Sequence, residues 1–495
     1  MMSFGPNRSV RRGVALIFAI FTLVILGVLA ATFMVSSISE HQMSFNELDA
    51  TSEVQLADAG INWAYMWLSA RDDDNPPPEV QTSLGTYSFS NGGYTNPVIV
   101  PADTNDYSNP FQGWGYTIYA GGTTSDGRCG AVKMEGVTVG KESGACYMPL
   151  ICGSFSGWYW DDDIAQGPVF ANPRIMIYNS SSLPQTGARF FERVKSAASS
   201  FRCGGTNDGP GCPEGYATFF QGYELDQTPV DCSVDLSYAE LCATSKGYRY
   251  RAADYADDDL YVKLNADGTF QMRVPGETDP PFDGNTYLST LDDSLVVYWR
   301  GSTADVHVWG TLNGRMTIMA GRHIDVDSHS DWYVDGGLVP DILYAADPRF
   351  GPSDDALGLL AGKDNSNYGS LRIPDIFTGG GVDGDRQIFA AFVSRAQSSN
   401  SKVDVINYNG RAYEGLLIIY GSLHFYNLPP TQNGTSHGYG TDWADDPRLC
   451  TNPPPCFPSL IRSDGTVEWT VNKLPPSLGG GWQEVYGSED NIVCP

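Results

Sequence analysis

The sequence predicts an α+β protein that is mostly β: a long N-terminal helix, a small antiparallel sheet, then a glycine-rich region of short strands. Three observations predict it. Residues 14–34 carry no charge, and no proline interrupts the chain from there to Arg71. Composition is turn-rich and aromatic, with 55 Gly, 31 Pro, 27 Tyr and 11 Trp, which suits short strands joined by tight turns. Beyond Pro76-Pro77-Pro78, apolar and polar residues alternate with the period of two that a half-buried strand requires.

The N-terminal element comes first. Val14 to Met34 is 21 uncharged residues, enough for a helix to cross a hydrocarbon core of about 30 Å, and longer than the apolar core of a cleaved export signal. Arg8, Arg11 and Arg12 precede it and Glu40, Glu47, Asp49, Glu53 and Asp58 follow, so the C-terminal body is expected outside the cytoplasm. Beyond the apolar run, Val54, Ala57, Ile61, Ala64 and Leu68 recur at gaps of 3, 4, 3 and 4, one stripe of an amphipathic helix. Asp72-Asp73-Asp74-Asn75-Pro76 ends it. One helix from Val14 to Arg71 has 58 residues, about 87 Å at 1.5 Å each.

The runs 85–90, 113–120 and 131–137 read as antiparallel strands that cover the stripe. From about residue 150 glycines break the chain into shorter runs. In Val306–Val326, Asn313-Gly314 between alternating runs fits a hairpin, while Val306/Val308, Met316/Ile318 and Ile324/Val326 on one side fit the coils of a parallel solenoid.

Thirty basic against 58 acidic residues give a formal charge of −28, which excludes the phosphate-neutralising surface that nucleic-acid binding needs. Ten cysteines, with Cys203 near Cys212, Cys232 near Cys242 and Cys450 near Cys456, read as disulfide candidates in an oxidising compartment. Neither a CxxC pair nor a histidine close in sequence suggests zinc.

The leader "RRG", the apolar run and the closing Leu56-Ala57-Asp58-Ala59-Gly60-Ile61 resemble type IV prepilins, the PilX-type minor pilins above all. The resemblance implies cleavage by a prepilin peptidase between Gly13 and Val14, N-methylation of Val14, and a filament-core role for the helix. Most major pilins carry glutamate at the fifth mature position; here it is Phe18. A buried carboxylate persists only when paired, so its absence points to a minor, initiating or tip subunit. "VHVWGTLNGRMTIMAGRHIDV", "DDALGLLAG", "EGLLIIYGSLHF", "DPRLCTNPPPCFP" and "QGPVFANPRIMIY" are similar to an uncharacterised bacterial family of large PilX-like proteins with β-helix-like ectodomains, which favours the solenoid.

The expected organisation is then a leader at 1–13, a transmembrane and filament-core pilin-like helix at 14–71, a pilin-like β region at 79–149, a β-solenoid-like ectodomain at 150–430 with a disulfide-bearing insert near 200–245, and a loop-rich segment at 431–495. The implied partners are other pilin subunits, the assembly machinery, the prepilin peptidase and the inner membrane before assembly, with a glycan or surface as ligand of the head and no nucleic acid. The alternative is a membrane-anchored cell-surface β-helix protein that binds or cleaves polysaccharide.

Chemical motifs are few. The sequence has no HExxH, P-loop or Rossmann pattern, and no catalytic residue is assigned. Asp325, Asp327 and Asp331 alternate as hard-cation ligands do, although His329, Ser330 and Gly336 depart from an EF-hand; Ca²⁺ is the one ion they suggest, and a polar turn the other reading. Asp161–Asp163, Asp257–Asp259 and Asp383 with Asp385 are similar clusters. For a lyase, Arg322 or Arg349 would supply the basic group. Trp158, Tyr159, Trp160, Trp332 and Tyr333 are candidate glycan contacts.

Overall fold

The computed structural model describes residues 52–71, 75–90, 92–103, 114–141, 143–153, 159, 164–177, 187–204, 207–209, 216–275, 277, 287–290, 295–327, 341–351, 353–365, 369–373, 385–395, 401–406, 413–427, 432–433, 437–464, 469–473 and 481–484. The leader, the apolar run 14–34 and Phe18 lie outside them. The α+β class with a long N-terminal helix is corrected: among the described residues the structure is mostly β, with three helices and large parallel sheets. The physical reason is the glycine-punctuated β runs beyond residue 90, where strands hydrogen-bond to strands of neighbouring coils, so helix is a minor part of the described chain. No helix among the described residues is long and apolar enough to cross a membrane.

Residues 52–69 form the first described helix. Its stripe Ala57, Ile61, Ala64 and Leu68 is fully buried against Ile99, Tyr116, Ile118, Val132, Val137 and Val139. These belong to the antiparallel strands Tyr94–Pro101, Trp114–Thr123 and Cys129–Lys141. The register sets Ile99 opposite Ile118, and Ile118 opposite Met134. Close approach rests on two glycines. A Cβ on Gly60 would meet Thr95 Oγ1 at 2.2 Å, and one on Gly122 would meet the Glu53 carbonyl oxygen at 2.3 Å. Burial of Ile61 and Leu68 contributes about 1.5–3 kcal/mol each. The C-terminal strands Trp469–Lys473 and Gly481–Glu484 return to this sheet, both antiparallel to Cys129–Lys141, so part of the segment expected as loop completes it.

Most of the remaining described strands form a stack of parallel coils, with Thr269–Arg273 set antiparallel between Leu260–Leu264 and Tyr287–Thr290 at one edge. One column of strands runs Leu260–Leu264, Val306–Leu312, Ile324–Asp325, Leu371–Ile373 and Val403–Val405. A second runs Arg249–Arg251, Leu295–Arg300, Arg315–Ala320, Ala356–Ala361, the end of Arg386–Ser394 and the end of Tyr413–Phe425. The strands either side of Asn313-Gly314 thus each pair in parallel with neighbouring coils. The second column then continues out of chain order into Leu150–Ile151, Val169–Ala171, Val194–Ser196 and Tyr223–Glu224. Inward residues such as Val262, Val308, Ile318, Leu359, Phe392 and Leu423 form one core.

That topology leaves a connection to make: the chain at Glu224 lies at one end of the stack and resumes at Arg249 at the other. Residues 225–247, including the helix Ser237–Lys246, run along the outside of the second column. Outward positions there are apolar, with Val296, Tyr298, Met319, Leu360 and Val393 buried under Val234, Leu236, Ala239, Ala243, Leu449 and Phe457. Disulfides Cys146–Cys450, Cys152–Cys232 and Cys242–Cys456 fasten these segments, spanning 304, 80 and 214 residues. The sequence neighbours Cys232/Cys242 and Cys450/Cys456 are therefore not partners, because the chain reaches each site from distant coils. Cys203 is also disulfide-bonded; Cys212 lies outside the described residues.

Candidate functional site

The outer face of the first column is built differently from the second. Alternation puts Leu260, Val306, Ile324, Leu371 and Val403 inward, so their successors Tyr261, His307, Asp325, Arg372 and Asp404 point out in one ladder, about 4.8 Å from rung to rung. A second row, Asp259, Asp305, His323, Ser370 and Lys402, precedes them by two positions. Charged partners thus come from five separate coils.

Arg372 holds the ladder together. Its Nε and Nη2 donate to the two Asp325 carboxylate oxygens at 2.6 and 2.6 Å, and Nη2 also donates to Asp305 Oδ2 at 2.5 Å. Arg322 donates to both Asp305 oxygens, at 2.6 and 2.5 Å, and the His323 backbone N–H adds a third donor. Asp305 and Asp325 are nearly enclosed, at 3% exposure each. A carboxylate buried to that depth persists as an ion only with such partners. Burial pushes the Asp325 carboxyl up, against the pull of Arg372 and His307. The Arg372 guanidinium, despite its own burial, is held above its ordinary value by Asp325 and Asp305.

His307 sits at the acidic end. Burial opposes its charge, yet Asp259, Asp327 and Asp325 raise it to about 9, so it is imidazolium at neutral pH. Nε2 lies 3.4 Å from Asp259 Oδ2, Nδ1 lies 3.7 Å from Asp327 Oδ2, and the ring stacks on Tyr261 at 4.2 Å. His323 behaves oppositely: burial, with Arg372 and Arg322 nearby, lowers it to about 4.

Of the sequence candidates, Asp325 is committed to Arg372, Asp327 faces His307, and Asp331 lies outside the described residues. Asp259, from the second acidic cluster, joins the site. Asp385 accepts the Leu416 backbone N–H at 2.8 Å. Arg322 is paired with Asp305, and Arg349 with Asp347 at 2.6 Å. Tyr159 packs on Phe190 at 4.9 Å between ring centres, while Trp158, Trp160, Trp332 and Tyr333 lie outside the described residues. Arg372 and Asp305 carry no sequence signal, because their meeting depends on the lengths of the coils between them.

A second cluster was equally hidden. His424 continues the apolar ladder Met319–Leu360–Val393 into Leu150, and its Nε2 lies 3.0 Å from Cys152 Sγ of the Cys152–Cys232 disulfide. Burial alone lowers this imidazole to about 4. The Cys152, Cys232 and His424 ligand atoms lie within 4.8 Å of one another, the one such group among the described residues; the acidic ladder does not converge in this way. Comparison with family models, with curated proteins and with solved structures gives no match to this chain.

Proposed function

We propose that this protein is a minor subunit of a type IV pilus or related filament, processed after Gly13, that presents a disulfide-fastened β-rich head outside the cell for assembly priming, adhesion or surface contact. One observation carries the proposal: the stripe Ala57, Ile61, Ala64 and Leu68 is buried on an antiparallel sheet, in a chain whose preceding part holds an uncharged segment introduced by Arg11-Arg12-Gly13. An amphipathic segment that docks on the head and follows an apolar run ties the head mechanically to whatever holds that run, a membrane before assembly and neighbouring subunits after it. The disulfides support an oxidising destination. The outer ladder supports a structural role over a lyase role, since its most buried carboxylates are spent on guanidinium groups and offer no unpaired base.

Mass spectrometry of the mature protein tests this. The expected N-terminus is methylated Val14. A chain that retains Met1, or that begins near Thr32, would refute prepilin processing.

A further inference from the structure

We infer that Cys152, Cys232 and His424 form a thiol-gated zinc site, so that the same three segments are clamped by a disulfide when oxidised and by Zn²⁺ when reduced. The three residues come from separate parts of the chain. Cys152 follows the strand Leu150–Ile151, Cys232 lies on the connection along the second column, and His424 is on the strand Tyr413–Phe425. Two sulfurs and one imidazole nitrogen are a set that zinc takes readily.

Distances fit a modest rearrangement. Tetrahedral zinc with Zn–S near 2.3 Å and Zn–N near 2.05 Å sets sulfur about 3.8 Å from sulfur and about 3.6 Å from nitrogen. Cys152 Sγ is already 3.0 Å from His424 Nε2. The sulfurs, bonded at 2.04 Å, must separate, and the Cα–Cα distance of 5.8 Å lets side-chain rotation do this. The Asn172 side-chain amide lies 3.2 Å from Cys232 Sγ and is anchored on Val230 through both of its polar atoms, at 2.8 Å each, so it is placed to donate to a thiolate.

His424 is the independent observation. It is 1% exposed in an otherwise apolar stretch of ladder, and its Nδ1 has no hydrogen-bond partner among the described residues. A buried imidazole in that state costs about 1–3 kcal/mol, which the strand could have avoided with Leu or Val; zinc on Nε2 leaves Nδ1 as it is, so the pointer to the site is that a ring this costly is kept with Nε2 turned onto Cys152 Sγ. Beside it a cavity of about 60 Å³ is lined by His424, Asp231, Ser233, Asp235 and Ser459 among others, with room for a water as fourth ligand.

The chemistry balances. A dithiol gives two electrons and two protons to the Sγ–Sγ bond, leaving two cysteine thiols and the reductant's own cyclic disulfide. Zn²⁺ then displaces one proton from each thiol and accepts the Nε2 lone pair of His424. Cys152 and Cys232 are half-buried, whereas Cys146 and Cys450 are buried, so the gating bond is the more accessible of these two.

The test uses the full-length protein, reduced with excess dithiol, freed of it without air and titrated with Co²⁺ and then Zn²⁺. One Co²⁺ per chain with a thiolate charge-transfer band, displaced by Zn²⁺, is expected for reduced protein, and none for oxidised. Cys152→Ser and Cys232→Ser should abolish the band, His424→Gln should weaken Zn²⁺ binding by at least about 100-fold, and Cys242→Ser/Cys456→Ser should retain it. X-ray absorption of the zinc form should show two sulfur ligands. No uptake by reduced protein, uptake unchanged in Cys152→Ser, or a reduced protein whose near-ultraviolet circular dichroism collapses and is not restored by Zn²⁺ would each overturn the site.

Discussion

Arg372→Met removes the guanidinium that serves two enclosed carboxylates. Asp305 keeps Arg322 and the His323 N–H, so the loss falls on Asp325, which has 5% side-chain exposure and gives up two bonds of 2.6 Å. Breaking a buried pair from one side costs about 3–5 kcal/mol. The carboxyl has an escape, however: it can take a proton. From an ordinary value of 3.8, at about 1.36 kcal/mol per pH unit, neutralisation caps the loss near 4 kcal/mol at pH 7 and near 1.6 kcal/mol at pH 5. In the variant the folded-state value of Asp325 lies above its unfolded one, so stability is fully present below the unfolded value and is lost as pH rises through the folded one. Burial already pushes Asp325 up in the native protein, so the loss lies below that cap: we expect up to about 4 kcal/mol at pH 7, shrinking to under about 2 kcal/mol at pH 5. Denaturant unfolding of the disulfide-intact protein, followed by tryptophan fluorescence at both pH values, measures it. Adding Asp325→Asn should recover more than half of the loss at pH 7. A loss below about 1 kcal/mol at pH 7, or one no smaller at pH 5, would refute the account of Arg372 as the neutraliser of a buried charge.

The remaining predictions concern the ladder's acidic end and the docked helix. His307 is raised from 6.5 to about 9, so its stabilisation is complete below pH 6.5 and lost as pH rises through about 9; His307→Gln should remove about 2–3 kcal/mol of that pH dependence, and NMR titration should find the imidazole near 9 rather than at or below 6.5. Gly122→Val places a side chain where a Cβ already meets the Glu53 carbonyl oxygen at 2.3 Å and the Ala57 nitrogen at 2.4 Å. Backbone cannot yield as a flexible side chain does, so residues 52–69 should lift from the sheet, at a cost of at least about 3 kcal/mol from Ile61 and Leu68. Hydrogen exchange should show lost protection in the strands Tyr94–Pro101, Trp114–Thr123 and Cys129–Lys141, and unchanged protection there would refute the close-approach role of Gly122.

Particular residues show what was legible. The helical stripe Ala57–Leu68 could be read because its period is local, and every contact it needs lies on one face of one element. The strands Trp114–Thr123 and Cys129–Lys141 were readable for the same reason. The cysteines were readable as disulfide-forming but not as pairs: Cys146 finds Cys450 across 304 residues, and nothing in the interval encodes that distance. Asp325 was singled out as a cation ligand because the residue that claims it, Arg372, lies 47 positions away.

By itself, then, the sequence determined the β-rich, turn-rich character, the acidity, the disulfide chemistry and the amphipathic segment that docks on a sheet, all set by composition or short-range period. The tertiary structure alone decided which coils stack on which, that strands near residue 150 stack on those near 425, and that Asp305, Asp325, Arg372 and His307 share one face. Parallel pairing carries no local turn signal. Its register depends on the summed lengths of intervening coils, so a change of one residue in any of them would bring different side chains together.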